Sequence, residues 1–238
     1  MSLFLGPEFG SNKDLIFYFD SANPKSYTSG TTMYNLGASS SYDMQFSVAP
    51  TYTSNNCGTL GFNGTTQQGV INGINYPLNT DDDFTLQTWI YIPTGASWSN
   101  AYYSNIIGRG AYDGFIGIVR SSLADNQIRG YVRSQYSWGN IATTITRDSW
   151  NQITLTMNAG TLSLYKNGTI ASTYVTGFTY SIYDNNMPYV LAGSLAASGD
   201  SGNTMSGTVS IVSLWNRALS VQEISKTYEI TKTRFGNA

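Results

Sequence analysis

The sequence predicts an all-β fold, a sandwich of strands and turns closed near its C-terminus by one short helix. Three observations carry this. Of 238 residues, 14% are aromatic and only 11% are charged, against roughly a quarter charged in an average soluble domain; such a composition excludes a helical bundle, whose surfaces are built from Ala, Leu, Glu and Lys. Apolar and polar residues alternate with period two through most of the chain. Asn-Gly pairs stand at Asn63-Gly64, Asn72-Gly73 and Asn167-Gly168, the last between two alternating runs, where a type I′ turn needs positive φ at both central residues.

Taken in order, the elements justify themselves. Residues 1–13 form an N-terminal arm in which Leu3, Phe4, Leu5 and Phe9 surround Gly6-Pro7; it reads either as a segment that docks on a partner or as an edge laid over the sheet. No composition shift, charge run, linker or repeat divides the remainder, so 14–238 is expected to be one domain, a length that sandwiches reach. Phe84, Leu86, Thr88, Ile90 and Ile92 share one strand face, and Thr85, Gln87, Trp89 and Tyr91 the other. The Gly108-Arg109-Gly110 stretch lacks the Gly-Lys-Ser/Thr of a phosphate loop and reads as a hairpin. Ile153, Leu155 and Met157 alternate, then Leu162 and Leu164, before the Asn167-Gly168 turn and a polar-alternating run to Val175. Gly207 to Trp215 reads as a buried strand. At Ser220-Val221-Gln222-Glu223 the period changes with the spacing of a capping box. Leu219 and Ile224 are placed for a hydrophobic staple, and Val221, Ile224 and Tyr228 fall on one face of a helix from about Ser220 to Thr231.

Absences narrow the chemistry. No His occurs, which removes Ser-His-Asp and Cys-His catalysis and imidazole zinc sites. Cys57 is alone, so no intrachain disulfide forms. A net charge of −2 lacks the basic footprint of a nucleic-acid binder. Met1 to Gly10 has no basic segment of an export signal, and the longest apolar runs fall far below the roughly 20 residues that cross a bilayer. Folding in a cytoplasm, without membrane insertion, is the expectation.

Four segments, in order along the chain, then carry a resemblance: Gly58-Thr59-Leu60-Gly61-Phe62-Asn63-Gly64; Asp83-Phe84-Thr85-Leu86-Gln87-Thr88-Trp89-Ile90; Ser149-Trp150-Asn151-Gln152-Ile153-Thr154-Leu155 with the hairpin Gly160 to Gly168; and Gly207 to Ile211 running through Leu214-Trp215-Asn216-Arg217-Ala218-Leu219-Ser220 to Glu223-Ile224. They resemble the LxFDG, FTxxxWI, WxxV…LxLYVNG and GxIxxVxIYNRALSxxEI motifs of the laminin-G-like members of the concanavalin A-like lectin/glucanase superfamily, with Asn63 in place of the usual Asp. The resemblance implies a two-sheet antiparallel jelly roll. At the two ends, Gly6-Pro7, Leu15-Ile16-Phe17-Tyr18-Phe19-Asp20, Asn23-Pro24-Lys25-Ser26-Tyr27 and Arg234-Phe235-Gly236 resemble versions of this domain in tailed-bacteriophage virion proteins. That implies display on a virion surface, with other virion proteins or cell-surface glycans as partners and homo-oligomerisation or docking on a larger assembly.

Glucanases of the superfamily carry an ExDxE strand whose two Glu do the chemistry. That motif is missing here: the only Glu are Glu8, Glu223 and Glu229. Asp81-Asp82-Asp83 precedes a strand, where neighbouring side chains point to opposite faces, and reads as a solvated turn. No enzymatic activity is expected. Asp20, Asp113, Asp184 and Asp200 lack the spacing of a Ca²⁺ loop, so no cofactor is assigned, and Ca²⁺ stays open without support from the sequence.

The binding candidates are aromatic and basic. Trp98, Tyr102 and Tyr103, among amides, suit sugar rings and a protein interface equally; Tyr136 and Trp138 form a second such group. Five of the seven Arg lie between Arg109 and Arg147, and Arg129, Tyr131 and Arg133 share one strand face. Together with Trp89 and Tyr91 they are expected to line one sheet surface suited to a polar or acidic glycan. Trp89 and Trp150 match framework positions of the family and read as packing more than as contact, and Trp215 reads as core. The function expected is thus a non-enzymatic virion protein for decoration or adhesion to host glycans, the alternative being a free carbohydrate-binding module.

Overall fold

The structure, a computed structural model, describes residues 14–37, 41–77, 79, 81–96, 105–111, 114–120, 126–133, 138–177, 187–193 and 204–236. In chain order the first strands are β1 (Leu15–Asp20), β2 (Thr32–Met33), β3 (Met44–Phe46), β4 (Thr51–Thr53), β5 (Thr59–Asn63), β6 (Gly69–Ile71), β7 (Phe84–Tyr91) and β8 (Asn105–Ala111). There follow β9 (Gly114–Arg120), β10 (Gln127–Arg133), β11 (Trp138–Thr144), β12 (Trp150–Asn158), β13 (Thr161–Lys166), β14 (Thr169–Val175), β15 (Tyr189–Leu191), β16 (Ser206–Trp215) and the helix α1 (Val221–Thr231).

They form two antiparallel sheets of eight strands, ordered β14-β13-β12-β7-β16-β5-β4 and β11-β10-β9-β8-β15-β6-β3-β2. The first sheet takes its eighth strand because β16 is long enough to divide. Its start pairs with β5 from Ser206↔Asn63, and its end pairs with β1 up to Trp215↔Leu15. Strand alternation then decides what is buried. Phe84, Leu86 and Ile90 of β7, Ile153, Leu155 and Met157 of β12, and Leu162 and Leu164 of β13 meet Ile107, Ile116, Ile118, Ile128 and Val132 of the facing sheet in one core. Removing this much apolar surface from water is the main favourable term in folding. At the β13–β14 turn, Asn167 and Gly168 both have positive φ, 51° and 75°, as a two-residue type I′ hairpin requires.

The outer face of the first sheet is also covered. Trp89, Trp150, Tyr165, Ile211 and Trp215 cluster with Leu219, Ile224 and Phe235. Ser220 caps α1 with both bonds of a capping box, and Leu219 and Ile224 are buried together as the staple requires. Val221, expected on the packed face, is instead 51% exposed: it is the first helical residue, and α1 turns Ile224 and Thr227 onto the sheet. Past the helix, Phe235 stacks on Trp89 with ring centroids 4.2 Å apart. Asp82 accepts the Asn79 amide and Asp83 the Ala159 amide, so two members of the acidic triplet are held by backbone hydrogen bonds. The arm at 1–13 lies outside the described residues.

Candidate functional site

The outer face of the second sheet is where the sequence-predicted residues meet. Along β10, Ile128, Gly130 and Val132 are buried while Gln127, Arg129, Tyr131 and Arg133 are half-buried. Period two therefore puts the two arginines and the tyrosine side by side on the outer surface. Register places their neighbours. On β11, Ala142 lies opposite Arg129, Asn140 opposite Tyr131, and Trp138 opposite Arg133. On β9, Val119 lies opposite Arg129 and Gly117 opposite Tyr131, and β8 sets Gly108 opposite Gly117. Tyr131 thus faces two successive positions without side chains. The row continues through Val190 and Val70 to Gln45 and Thr32. Among the described residues this outer face carries no Asp or Glu, although the whole chain has a net charge of −2.

The remaining arginines of the basic stretch are used elsewhere. Arg109 is 1% exposed; it turns into the sandwich, donating to the carbonyls of Pro77 at 2.6 Å and Met187 at 3.2 Å. Arg147 donates to the Pro93 carbonyl at 2.8 Å. Arg120 lies opposite Ile128, on the other face from Arg129. Of the predicted Arg group, Arg129 and Arg133 stand on the β10 outer face.

One expectation is corrected. Trp89 and Tyr91 do not join the arginines: they lie on the outer face of the other sheet, where Trp89 is 1% exposed beneath Phe235 and Tyr228. Trp89 Nε1 donates to Thr231 Oγ1 at 3.0 Å, so its polar atom is spent within the fold. Residues 97–104 lead into Asn105, level with Arg129, and 134–137 follow Arg133, at the opposite end of β10. Trp98, Tyr102, Tyr103 and Tyr136 lie outside the described residues, as does the side chain of Trp138. Asn140, the last residue of the second aromatic segment in the sequence, is level with Tyr131 on the same face.

The described carboxylates are engaged in structure. Asp20 accepts from the Ala22 amide and, at 2.8 Å, from Arg234 Nη1. Arg234 also donates to the carbonyls of Asn56 and Gly58 and to Ser210 Oγ, tying the two chain ends together. Glu223 pairs with Arg217 at 2.7 Å, and that bond, with those from Ser220, pulls its carboxyl down to about 2. Asp148 accepts from Thr94 N and Oγ1, which holds its carboxyl below the usual range. Among the described residues no three His, Cys, Asp or Glu side chains gather as a metal site would need; Asp113, Asp184 and Asp200 lie outside them.

An antiparallel sandwich with one outer face sealed by a helix and the other presenting Arg, Tyr and Asn has the architecture of the lectin-like class. Residues 63–225 match the family model described as the Concanavalin A-like lectin/glucanases superfamily, and the chain belongs to that superfamily. Among solved structures, the binding domain of Paraclostridial Mosquitocidal Protein 1 is similar at a TM-score of 0.70 and 15% identity, over 91% of this chain and 52% of that one. The ligand binding domain of botulinum neurotoxin serotype D in complex with N-acetylneuraminic acid is similar at 0.69 and 13%, over 92% and 51%. Domain 4 of AbnA, a GH43 extracellular arabinanase from Geobacillus stearothermophilus, in complex with arabinotriose, is similar at 0.63 and 12%, over 90% and 98%. The chain thus spans about half the length of those toxin structures. No curated protein matches the sequence.

Proposed function

We propose that the protein is a non-catalytic, lectin-like module that binds glycans on the outer face of β10 and β11. The observation that carries this is the half-buried Arg129-Tyr131-Arg133 stripe beside Asn140, on a face whose described residues include no carboxylate. Aromatic rings take the C–H faces of sugars, and Arg and Asn take their oxygens. Trp98, Tyr102, Tyr103, Tyr136 and Trp138, whose side chains lie outside the described residues, are kept as further candidates for contact with a glycan or with a partner subunit. Further support comes from neighbours whose names record binding domains, one with N-acetylneuraminic acid and one with arabinotriose. The structural engagement of Asp20, Asp82, Asp83, Asp148 and Glu223 supports the non-catalytic reading.

The setting we propose is the surface of a tailed-phage particle, as decoration or as adhesion to host-cell glycans. The resemblance at the two chain ends supports it, and residues of those end motifs, Asp20 and Arg234, are bonded to each other. Self-association or docking on a larger virion protein would raise weak single-site binding by avidity. A free carbohydrate-binding module is the second reading, favoured by the match to an arabinanase domain over 98% of that chain. A broad glycan array, run with and without Ca²⁺ alongside solution mass, tests the binding. A specific hit supports adhesion, whereas a blank array with a defined oligomer refutes glycan binding and leaves a scaffold. Recovery of the protein in purified particles separates the virion reading from the free module.

A further inference from the structure

We infer that the β10 face selects acidic oligosaccharides and holds them lengthwise, Arg129 taking one anionic group and Arg133 a second, with Tyr131 between. The inference rests on the glycan-binding reading and adds the charge class and orientation of the ligand. Three observations carry it.

First, these two guanidinium groups have no carboxylate or hydrogen-bond acceptor among the described residues, and the Nε of Arg129 is buried without a partner. A buried donor left unmade is costly, and a planar guanidinium presents five donors matched to carboxylate, phosphate or sulfate oxygens. Arg120 Nε is likewise buried without a partner, but on the inner face, and the four remaining described arginines are held within the fold. Carbonyls take Arg109 and Arg147, Glu223 takes Arg217, and Asp20 takes Arg234.

Second, the described residues of this face include Arg129 and Arg133 and no Asp or Glu, on a chain whose net charge is −2, an arrangement that favours a positive local field. Such a local field raises the concentration and on-rate of anions.

Third, Arg129 and Arg133 are four residues apart on one strand face, about 13 Å at the rise of extended backbone. That is further than one sugar ring reaches, so a single acidic sugar engages one arginine and an oligomer engages both. Gly117 and Gly108, the next two positions across the sheet from Tyr131, carry no side chain of their own beside its ring.

The test uses the full chain against uronic, sialic and sulfated oligosaccharides of increasing length, each with a neutral counterpart, and a single-stranded oligonucleotide as a non-sugar polyanion. Expected is binding of an acidic series that strengthens from monomer to oligomer and weakens as salt rises. Arg129→Gln and Arg133→Gln should each weaken oligomer binding about tenfold or more, the size of a lost charge-assisted bond, with unchanged thermal melts. Arg133→Lys should retain part of it, because a point charge replaces the planar fork. Equal affinity for neutral and acidic members, or acidic binding indifferent to both Gln variants, overturns the acidic selectivity and leaves glycan binding standing. Failure of every glycan overturns both readings. An oligonucleotide bound as tightly as the best glycan overturns the assignment of a sugar ligand.

Discussion

Arg234→Met tests the strap that closes the chain ends. Its guanidinium is held between Asp20 Oδ1, Ser210 Oγ and the carbonyls of Asn56 and Gly58, with side chains only 14% and 7% exposed for Arg234 and Asp20. Methionine retains most of the volume but removes every donor. The substitution leaves the Asp20 carboxylate buried with the Ala22 amide and without its charged partner. Breaking a buried pair from one side costs about 3–5 kcal/mol, chiefly because the other charge stays behind. A loss in that range lowers the melting temperature by about 10 °C in a chain of this size. The stranded charge can be isolated, because Asp20→Asn in the Arg234→Met background removes it and should recover part of the loss. Urea unfolding of the two single variants and the double variant measures the cycle. A loss below about 1 kcal/mol for Arg234→Met, the range of an exposed pair, would refute the view that this bridge is buried and structural, as would a double variant no better than the worse single.

Three further expectations follow from the same face of the sheet. Glu223→Gln removes the pair with Arg217; because the carboxyl is pulled from 4.5 to about 2, the stabilisation is present above about pH 4.5 and lost as pH falls toward 2. Its side chain is 42% exposed, so screening limits the deficit at pH 7 to about 0.2–1 kcal/mol, and urea midpoints that differ equally from wild type at pH 7 and pH 2 would refute the ionic origin. Gly168→Ala should cost more than Gly95→Ala. Both have positive φ, 75° and 78°, yet a Cβ at Gly168 meets Tyr228 Cβ at 2.9 Å while one at Gly95 meets nothing within 4 Å. The strain alone is about 1–2 kcal/mol, so equal losses in thermal melts would mean that α1 does not sit on the hairpin. Phe235→Ala uncovers Trp89 and Trp150, whose rings lie 4.2 and 4.7 Å from it. It should cost about 3–5 kcal/mol and shift tryptophan emission to the red, and unchanged emission would refute the seal.

Alternation made the strands legible because a side-chain period of two is a local property. Phe84, Leu86 and Ile90 lie inside, Trp89 lies outside, and Arg129, Tyr131 and Arg133 share a face as the pattern requires. What alternation cannot encode is the identity of the layer above a face. Trp89 sits in a buried cluster as its framework reading has it, but grouping it and Tyr91 with the arginines fails because nothing local says that a later helix returns to cover them. Arg109 illustrates a second limit. Its stretch reads as a hairpin, and β8 and β9 pair as one, but the reading does not say which way Arg109 points, and it lies opposite Ile116, on the core side. The Asp20–Arg234 pair was legible only as two matching ends, since a contact across 214 residues leaves no trace in spacing.

The two outer faces divide the work of the fold. Burying the inner faces is enough to hold a sandwich together, which leaves both outer surfaces free for other uses. In this chain aromatic residues on the first sheet accept α1 and the turn that carries Phe235, and the capping box, the Arg217–Glu223 pair and the Arg234 bridge fasten that cover. A ligand competing for Trp89 there would have to displace the cover. On the second sheet β10 is instead lined by side chains that gain from a partner. Residues 97–104 join the sheet level with Arg129 and residues 134–137 level with Arg133. A glycan held along β10 as proposed would run from the junction of one aromatic segment to the junction of the other. On that proposal a short sugar would reach one end of the stripe and only a longer one would span it, which is what the length series tests.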